Sequence, residues 1–290
     1  MTGLWESSVV IAMRDWQWLG RIASSVFPDQ YLSLGGNAEA ADGDAILLAD
    51  EKLFLFEIKS LFSKVSDEWY GREKPKLAFD RLTEEYLAHV GQSSSYSSGS
   101  RLRQSLRCHH FAFWEAERRV ERTVVGNVAI CPYILGVARK LTDCNSQGVL
   151  GAKELGVIQA ALNPFALVRS TESTESTESG EGWDEVETVP LDLMAIPTRT
   201  NVSYLGKSGY RNEFEPLGLD VNEFSDYIKW LGGGVDHPID AVVMSSKGKF
   251  FRHVRSMAEL SSIFELPRLR CQNKPDGVNH DVESKSELRS

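Results

Sequence analysis

The stretch EAADGDAILLADEKLFLFEIKS, residues 39–60, decides the fold. Two apolar runs, 44–49 and 53–58, flank the polar break Asp50-Glu51-Lys52, which is the pattern of a β-hairpin. The second run, Leu-Phe-Leu-Phe-Glu-Ile-Lys, is apolar on both faces up to Glu57 and therefore reads as an interior strand covered on both sides. Charges gather at the open end of this hairpin: Asp42 and Asp44 on entry, Glu57 and Lys59 on exit. A carboxylate or an ammonium at the end of such a strand is costly unless it is paired or bound to a metal.

Register sharpens the reading. With Asp50 and Glu51 as the loop, Ala49 pairs with Lys52, Asp44 faces Glu57, and Asp42 faces Lys59. Directly opposed residues share a face of a sheet, and so do Glu57 and Lys59, two positions apart. One face of one strand end then collects Asp44, Glu57 and Lys59, with Asp42 at its margin. Two carboxylates so close repel each other unless a divalent cation lies between them. A loop one residue longer makes Asp42 the substitute for Asp44.

An acid followed by Glu-x-Lys on the next strand resembles the PD-(D/E)XK nuclease superfamily. Gly43-Asp44 stands where that family has Pro-Asp, and Glu57-Ile58-Lys59 where it has (D/E)-x-K. The resemblance runs over residues 37–64. It implies an α/β fold in which a central mixed β-sheet is flanked by helices, a restriction-endonuclease-like core with a C-terminal strand and helix extension. It also implies a metal-dependent nuclease, in which Asp44, Glu57 and the carbonyl of Ile58 hold Mg²⁺ or Mn²⁺. Lys59 then positions or deprotonates the attacking water. Hard oxygen donors favour those ions over zinc. Asp42, Glu39 and Glu6 are candidates for an extra acid. On this reading Asp44→Ala, Glu57→Ala and Lys59→Ala each abolish cleavage and leave the fold intact. The alternatives are a catalytically silent module of the same fold that binds nucleic acid or a partner, and an unrelated α/β sheet in which Lys59 forms a buried salt bridge. An intact Asp/Glu/Lys set favours the enzyme.

Charge distribution leaves the substrate class open. The net charge is −9, but residues 170–192 hold eight acids and no Lys or Arg, so the remainder is close to neutral and a phosphate-backbone partner is not excluded. Phosphate contacts are expected from Arg101, Arg103 and Arg107 on a short basic helix, and from Lys64 in a charged loop over 62–75. DNA is favoured over RNA. By analogy with stand-alone nucleases the expected setting is bacterial or phage-conflict (antiviral) defence, with a protein partner or a homo-oligomer left open. Four scattered cysteines without C-x-x-C suggest reduced thiols. The short apolar run 9–13 behind acidic Glu6 lacks the features of a signal peptide or membrane span, so a cytoplasmic protein without membrane association is expected.

The rest of the chain arranges itself around the hairpin. Helices are expected over 6–27, 77–90, 153–162, 222–231 and 256–264, and strands over 31–34, 109–114, 124–137 and 188–196. Residues 115–122 read as a charged connector, and 240–245 with 249–253 as a second hairpin. Three exact copies of Thr-Glu-Ser at 171–179 cannot bury apolar surface and read as disordered. The implied organisation is a nuclease-like core over 1–168, the acidic repeat loop over 169–187, an accessory strand and helix extension over 188–268 in the same or an adjacent domain, and a disordered tail over 269–290.

Overall fold

The computed structural model describes residues 5–22, 31–33, 45–49, 52–68, 77–89, 101–120, 123–143, 165–170, 183–194, 199–205, 211–233, 238–244, 251–256 and 259. The chain is mixed α/β. Helix α1 (Glu6–Ile22) leads into β1 (Tyr31–Ser33), β2 (Ala45–Ala49) and β3 (Lys52–Leu61). Then come a 3₁₀ helix (Phe62–Glu68), α2 (Leu77–His89), α3 (Arg101–Cys108), β4 (His109–Val120), β5 (Thr123–Pro132) and α4 (Tyr133–Asp143). The central sheet has the order β1-β2-β3-β4-β5-β8, where β8 is Val189–Pro190. Only β3 and β4 run parallel; every other neighbouring pair is antiparallel.

The hairpin forms in the register the sequence requires. Ala49 pairs with Lys52, and the ladder continues to Ala45 opposite Phe56. Residues 53–59 of β3 are all buried, as a strand covered on both faces must be. One cover is α1, whose Val9 and Met13 are buried and which packs against β3, β4 and β5. The opposite cover includes α4, whose Tyr133 ring stacks on His109 and Phe111 of β4.

Three expectations are corrected. Residues 115–120 are not a connector, because β4 continues through them to pair with β5 as far as Val120 opposite Thr123. Ala116, Glu117 and Arg118 are exposed there, so the arm needs no apolar alternation, and its charges hide a strand. Gly126 permits the close approach across this ladder, since a Cβ there would lie 2.0 Å from the Glu115 carbonyl oxygen. Second, the apolar run 124–137 is not strand throughout: Pro132 ends β5 and a helix follows. Its buried residues Tyr133, Ile134, Val137 and Ala138 have helical spacing. Third, residues 62–68 form a 3₁₀ helix instead of a loop, while the strand expected over 188–196 shortens to β8 followed by a 3₁₀ turn at Leu191–Leu193.

A second, four-stranded antiparallel sheet has the order β10-β9-β6-β7, built from β6 (Phe165–Ser170), β7 (Trp183–Val186), β9 (Thr200–Leu205) and β10 (Arg211–Pro216). Its Phe165, Leu167 and Val202 join the same hydrophobic cluster as β3 and β4. The chain then returns to the first sheet. Leu219 exchanges both backbone hydrogen bonds with Leu53, at 2.8 and 3.1 Å, beyond the point where β4 begins opposite Leu55. Gly218 makes this turn possible. Its φ is +80°, and a Cβ would meet the Lys52 Cβ at 2.6 Å and the Phe54 ring at 2.7 Å. Helix α5 (Val221–Leu231) follows, capped by Asp220, which accepts hydrogen bonds from the Asn222 and Glu223 backbone N–H groups at 3.0 and 2.9 Å. A two-stranded hairpin of β11 (Pro238–Met244) and β12 (Phe251–Ser256) completes the described elements, in agreement with the second hairpin read from the sequence. The expected helices over 153–162 and 256–264, the Thr-Glu-Ser repeat and the tail lie outside the described residues, apart from Ser256 and Glu259.

The two histidines of β4 point to opposite faces. His110 is wholly buried beside Phe54 and Phe56, with ring centroids 6.1 and 6.2 Å away. Burial pushes it down to about 4, and the Cys108 backbone pulls only weakly the other way. Its pKa in the fold is therefore depressed, so its contribution is present above the unfolded value near 6.5 and is lost as pH falls toward 4. Urea unfolding at a series of pH values should show a loss of roughly 3 kcal/mol over that window, and His110→Leu should flatten the curve. An unchanged acid limb in the variant would rule the histidine out as its source.

A candidate carboxylate–lysine site

The end of β3 carries Glu57 and Lys59 on one face because strand side chains alternate. The Lys59 Nζ lies 2.5 Å from Glu57 Oε1 and donates a hydrogen bond to it. It also lies 3.0 Å from Oε2 of Glu68, the last residue of the 3₁₀ helix. Glu57, Lys59 and Glu68 are 1, 4 and 0 % exposed. The Tyr133 hydroxyl, at the start of α4, donates to Glu68 Oε1 at 3.2 Å. The Tyr133 ring stacks on His109 at 4.2 Å between centroids and on Phe111 at 4.7 Å. His109 Nδ1 in turn is 3.0 Å from the Tyr227 hydroxyl of α5. The network therefore draws on β3, the 3₁₀ helix, α4, β4 and α5.

Electrostatics fix the protonation of two members. Burial pushes Lys59 down, but the charges of Glu57 and Glu68, with their hydrogen bonds, outweigh it, and the net shift is upward beyond the usual lysine range. Lys59 is thus an ammonium. Burial, reinforced by the negative charge of Glu68 and then Glu57, raises Tyr133 well above the ordinary phenol value, so its hydroxyl stays a donor. With both carboxylates ionised, the cluster carries one negative charge in excess, in a place where water does not reach. Such an excess is costly unless a further cation balances it.

The structure places the other sequence candidates unequally. Asp44, Asp42 and Glu39 lie outside the described residues. The Ile58 side chain is buried on the opposite face of β3, at 2 % exposure. Glu6 is exposed in the first turn of α1. Lys64 is exposed and sits 3.6 Å from Asp67, one turn away. The three arginines of α3 face inward rather than presenting a free basic surface. Arg103 bonds to Glu215, and Arg107 donates to the carbonyls of Pro216 and Gly218, both at 3.1 Å. Arg101 bonds to Gln104 at 2.9 Å and its guanidinium lies 5.9 Å from the Trp230 ring centroid. These contacts clamp α3 to the segment that enters α5, which accounts for the arginines without phosphate.

Glu68 and Tyr133 escaped the sequence reading. Glu68 lies in a run of charged residues that looks solvated; its one signal is the spacing of three from Val65, which turns both inward on a 3₁₀ helix. Tyr133 was hidden in a run taken for strand.

The donor chemistry fits a hard divalent cation. Glu57 and Glu68 offer carboxylate oxygens and an excess negative charge, the combination that Mg²⁺ and Mn²⁺ select. Among the described residues, no group of three or more His, Cys, Asp or Glu is arranged to hold a metal, and Asp44 lies outside them. No described helix is long and apolar enough to cross a membrane. No protein-family model, curated protein or solved structure matches this chain.

Proposed function

We propose that the chain is a metal-dependent nuclease of the PD-(D/E)XK type, with Glu57 and Lys59 at its centre. One observation carries the reading: an acid and a lysine, two residues apart, share the buried face at the end of an interior strand, beside a further buried carboxylate. The fold is compatible in outline, with helices flanking a mixed sheet in which the motif strand lies inside. On this reading Asp44, Glu57 and the carbonyl of Ile58 would hold Mg²⁺ or Mn²⁺. Such an ion supplies Lewis-acid neutralisation of the phosphate and a water of lowered pKa. Lys59, a cation flanked by two carboxylates, is suited to orient the attacking water and to stabilise the charge that develops on the phosphate oxygens. DNA as substrate, a cytoplasmic setting in bacterial or phage-conflict defence, and a protein partner or second copy follow from fold-level analogy.

The competing reading is a catalytically silent module whose triad only ties the 3₁₀ helix to the sheet. The near-complete burial of all three residues favours it. A cleavage panel separates the two: supercoiled, linear and single-stranded DNA and RNA, each with Mg²⁺ and Mn²⁺, alongside thermal melts in the same ions. The nuclease should be stabilised by either ion, by about 2.7 kcal/mol at a hundredfold excess over its dissociation constant, and should cut DNA only in its presence. Absence of both stabilisation and cleavage on every substrate would leave only the silent module standing.

A further inference from the structure

We propose that Glu68, oriented by the Tyr133 hydroxyl, is the positioning residue of this site: it shares the Lys59 ammonium with Glu57 and so leaves Glu57 able to face a cation. The assignment rests on the nuclease reading above. A buried lysine needs one carboxylate to balance it; this one has two, at 2.5 and 3.0 Å. The second carboxylate is also the more firmly held. One of its oxygens accepts from Tyr133 and the other faces Lys59, so both ends of the group are fixed. Tyr133 is itself fixed by ring contacts with His109 and Phe111, and His109 by the Tyr227 hydroxyl.

An ordinary ion pair needs none of this orientation. A catalytic ammonium does, because small displacements of a charged group from its productive position cost rate steeply. The electrostatic consequence is specific. Alone with Glu57, the Lys59 ammonium would settle wholly on that carboxylate and oppose any cation there, since both compete for the same oxygens in a low-dielectric place. Glu68 divides the ammonium between two acids and draws it aside. Its action on the reaction therefore passes through Lys59 and Glu57.

The test uses the full chain with Glu68→Gln, which keeps the shape and an acceptor for Tyr133, and Tyr133→Phe, which removes only a hydroxyl. The Mn²⁺ concentration for half-maximal thermal stabilisation should rise roughly tenfold in Glu68→Gln. Its kcat on the DNA cut by wild type should fall about 10- to 100-fold with KM unchanged, the scale typical of groups that orient metal-site residues. Tyr133→Phe should move both quantities in the same direction by less. A lower melting temperature at every Mn²⁺ concentration, with unchanged midpoint and kcat, would make Glu68 merely structural and overturn the assignment. Should Glu68→Gln fail to fold, Tyr133→Phe decides alone, and an unchanged Mn²⁺ midpoint in it overturns the assignment. Wild type that neither binds Mn²⁺ nor cleaves overturns the nuclease reading and this inference with it; wild type that does both beside unaffected variants overturns this inference only.

Discussion

Lys59→Ala should lower the melting temperature by roughly 10 °C, from a loss of about 3–5 kcal/mol, the usual cost of removing one partner from a buried ion pair. The reason is a count of charges. Glu57 and Glu68 both lean on the same ammonium, and both are at most 1 % exposed, so neither can turn to water when it goes. The sequence alone suggested that Lys59→Ala spares the fold, because Glu68 was not visible as a second dependant. The control is Lys59→Met with Glu57→Gln and Glu68→Gln. Neutral groups of similar volume remove the uncompensated charge, and such replacements of buried ionic clusters are often neutral or stabilising. Calorimetry should therefore find the triple variant much closer to wild type than the single one. A loss below about 1 kcal/mol in Lys59→Ala would mean that both acids reach solvent, contrary to the burial described here.

Legibility in the sequence followed how local each cause is. The hairpin register was readable because a period of two and a two-residue loop leave one pairing, and Ala49 opposite Lys52 follows from them. Helices α2 and α5 were readable because their buried residues, Ala78, Phe79 and Leu82 in one and Phe224, Tyr227, Ile228 and Leu231 in the other, keep helical spacing. Strands β6, β9 and β10 have no such signature. They are strands because they pair with one another across the acidic repeat, and that pairing is decided at long range. The basic helix shows the same limit in the site. Nothing local to Arg103 and Arg107 says that Glu215, Pro216 and Gly218, more than one hundred residues later, will take up their donors. Glu57 and Lys59 were legible because their partnership lies within one strand; Glu68 was not, because its burial depends on α4 arriving above it.

Glu57→Ala should behave in the opposite way to Lys59→Ala: cleavage falls by at least about a thousandfold while the fold survives. The loss combines a metal-holding carboxylate with the aim of Lys59, and removal of a single charge-stabilising group at such sites already costs two to three orders of magnitude. The fold survives because Glu68 remains 3.0 Å from Lys59 and balances it one to one, so the excess negative charge of the cluster disappears together with Glu57. Glu57→Gln is the companion variant that fills the same volume, and it should be as inactive as Glu57→Ala and at least as stable. Both are measured as initial rates on the preferred DNA at saturating Mg²⁺, with thermal melts on the same preparations. In those melts, the stabilisation by Mg²⁺ seen in wild type should shrink in both variants, because Glu57 faces the cation. Cleavage by Glu57→Ala at a tenth or more of the wild-type rate would remove Glu57 from the chemistry. It would leave the buried triad as a structural tie between β3 and the 3₁₀ helix.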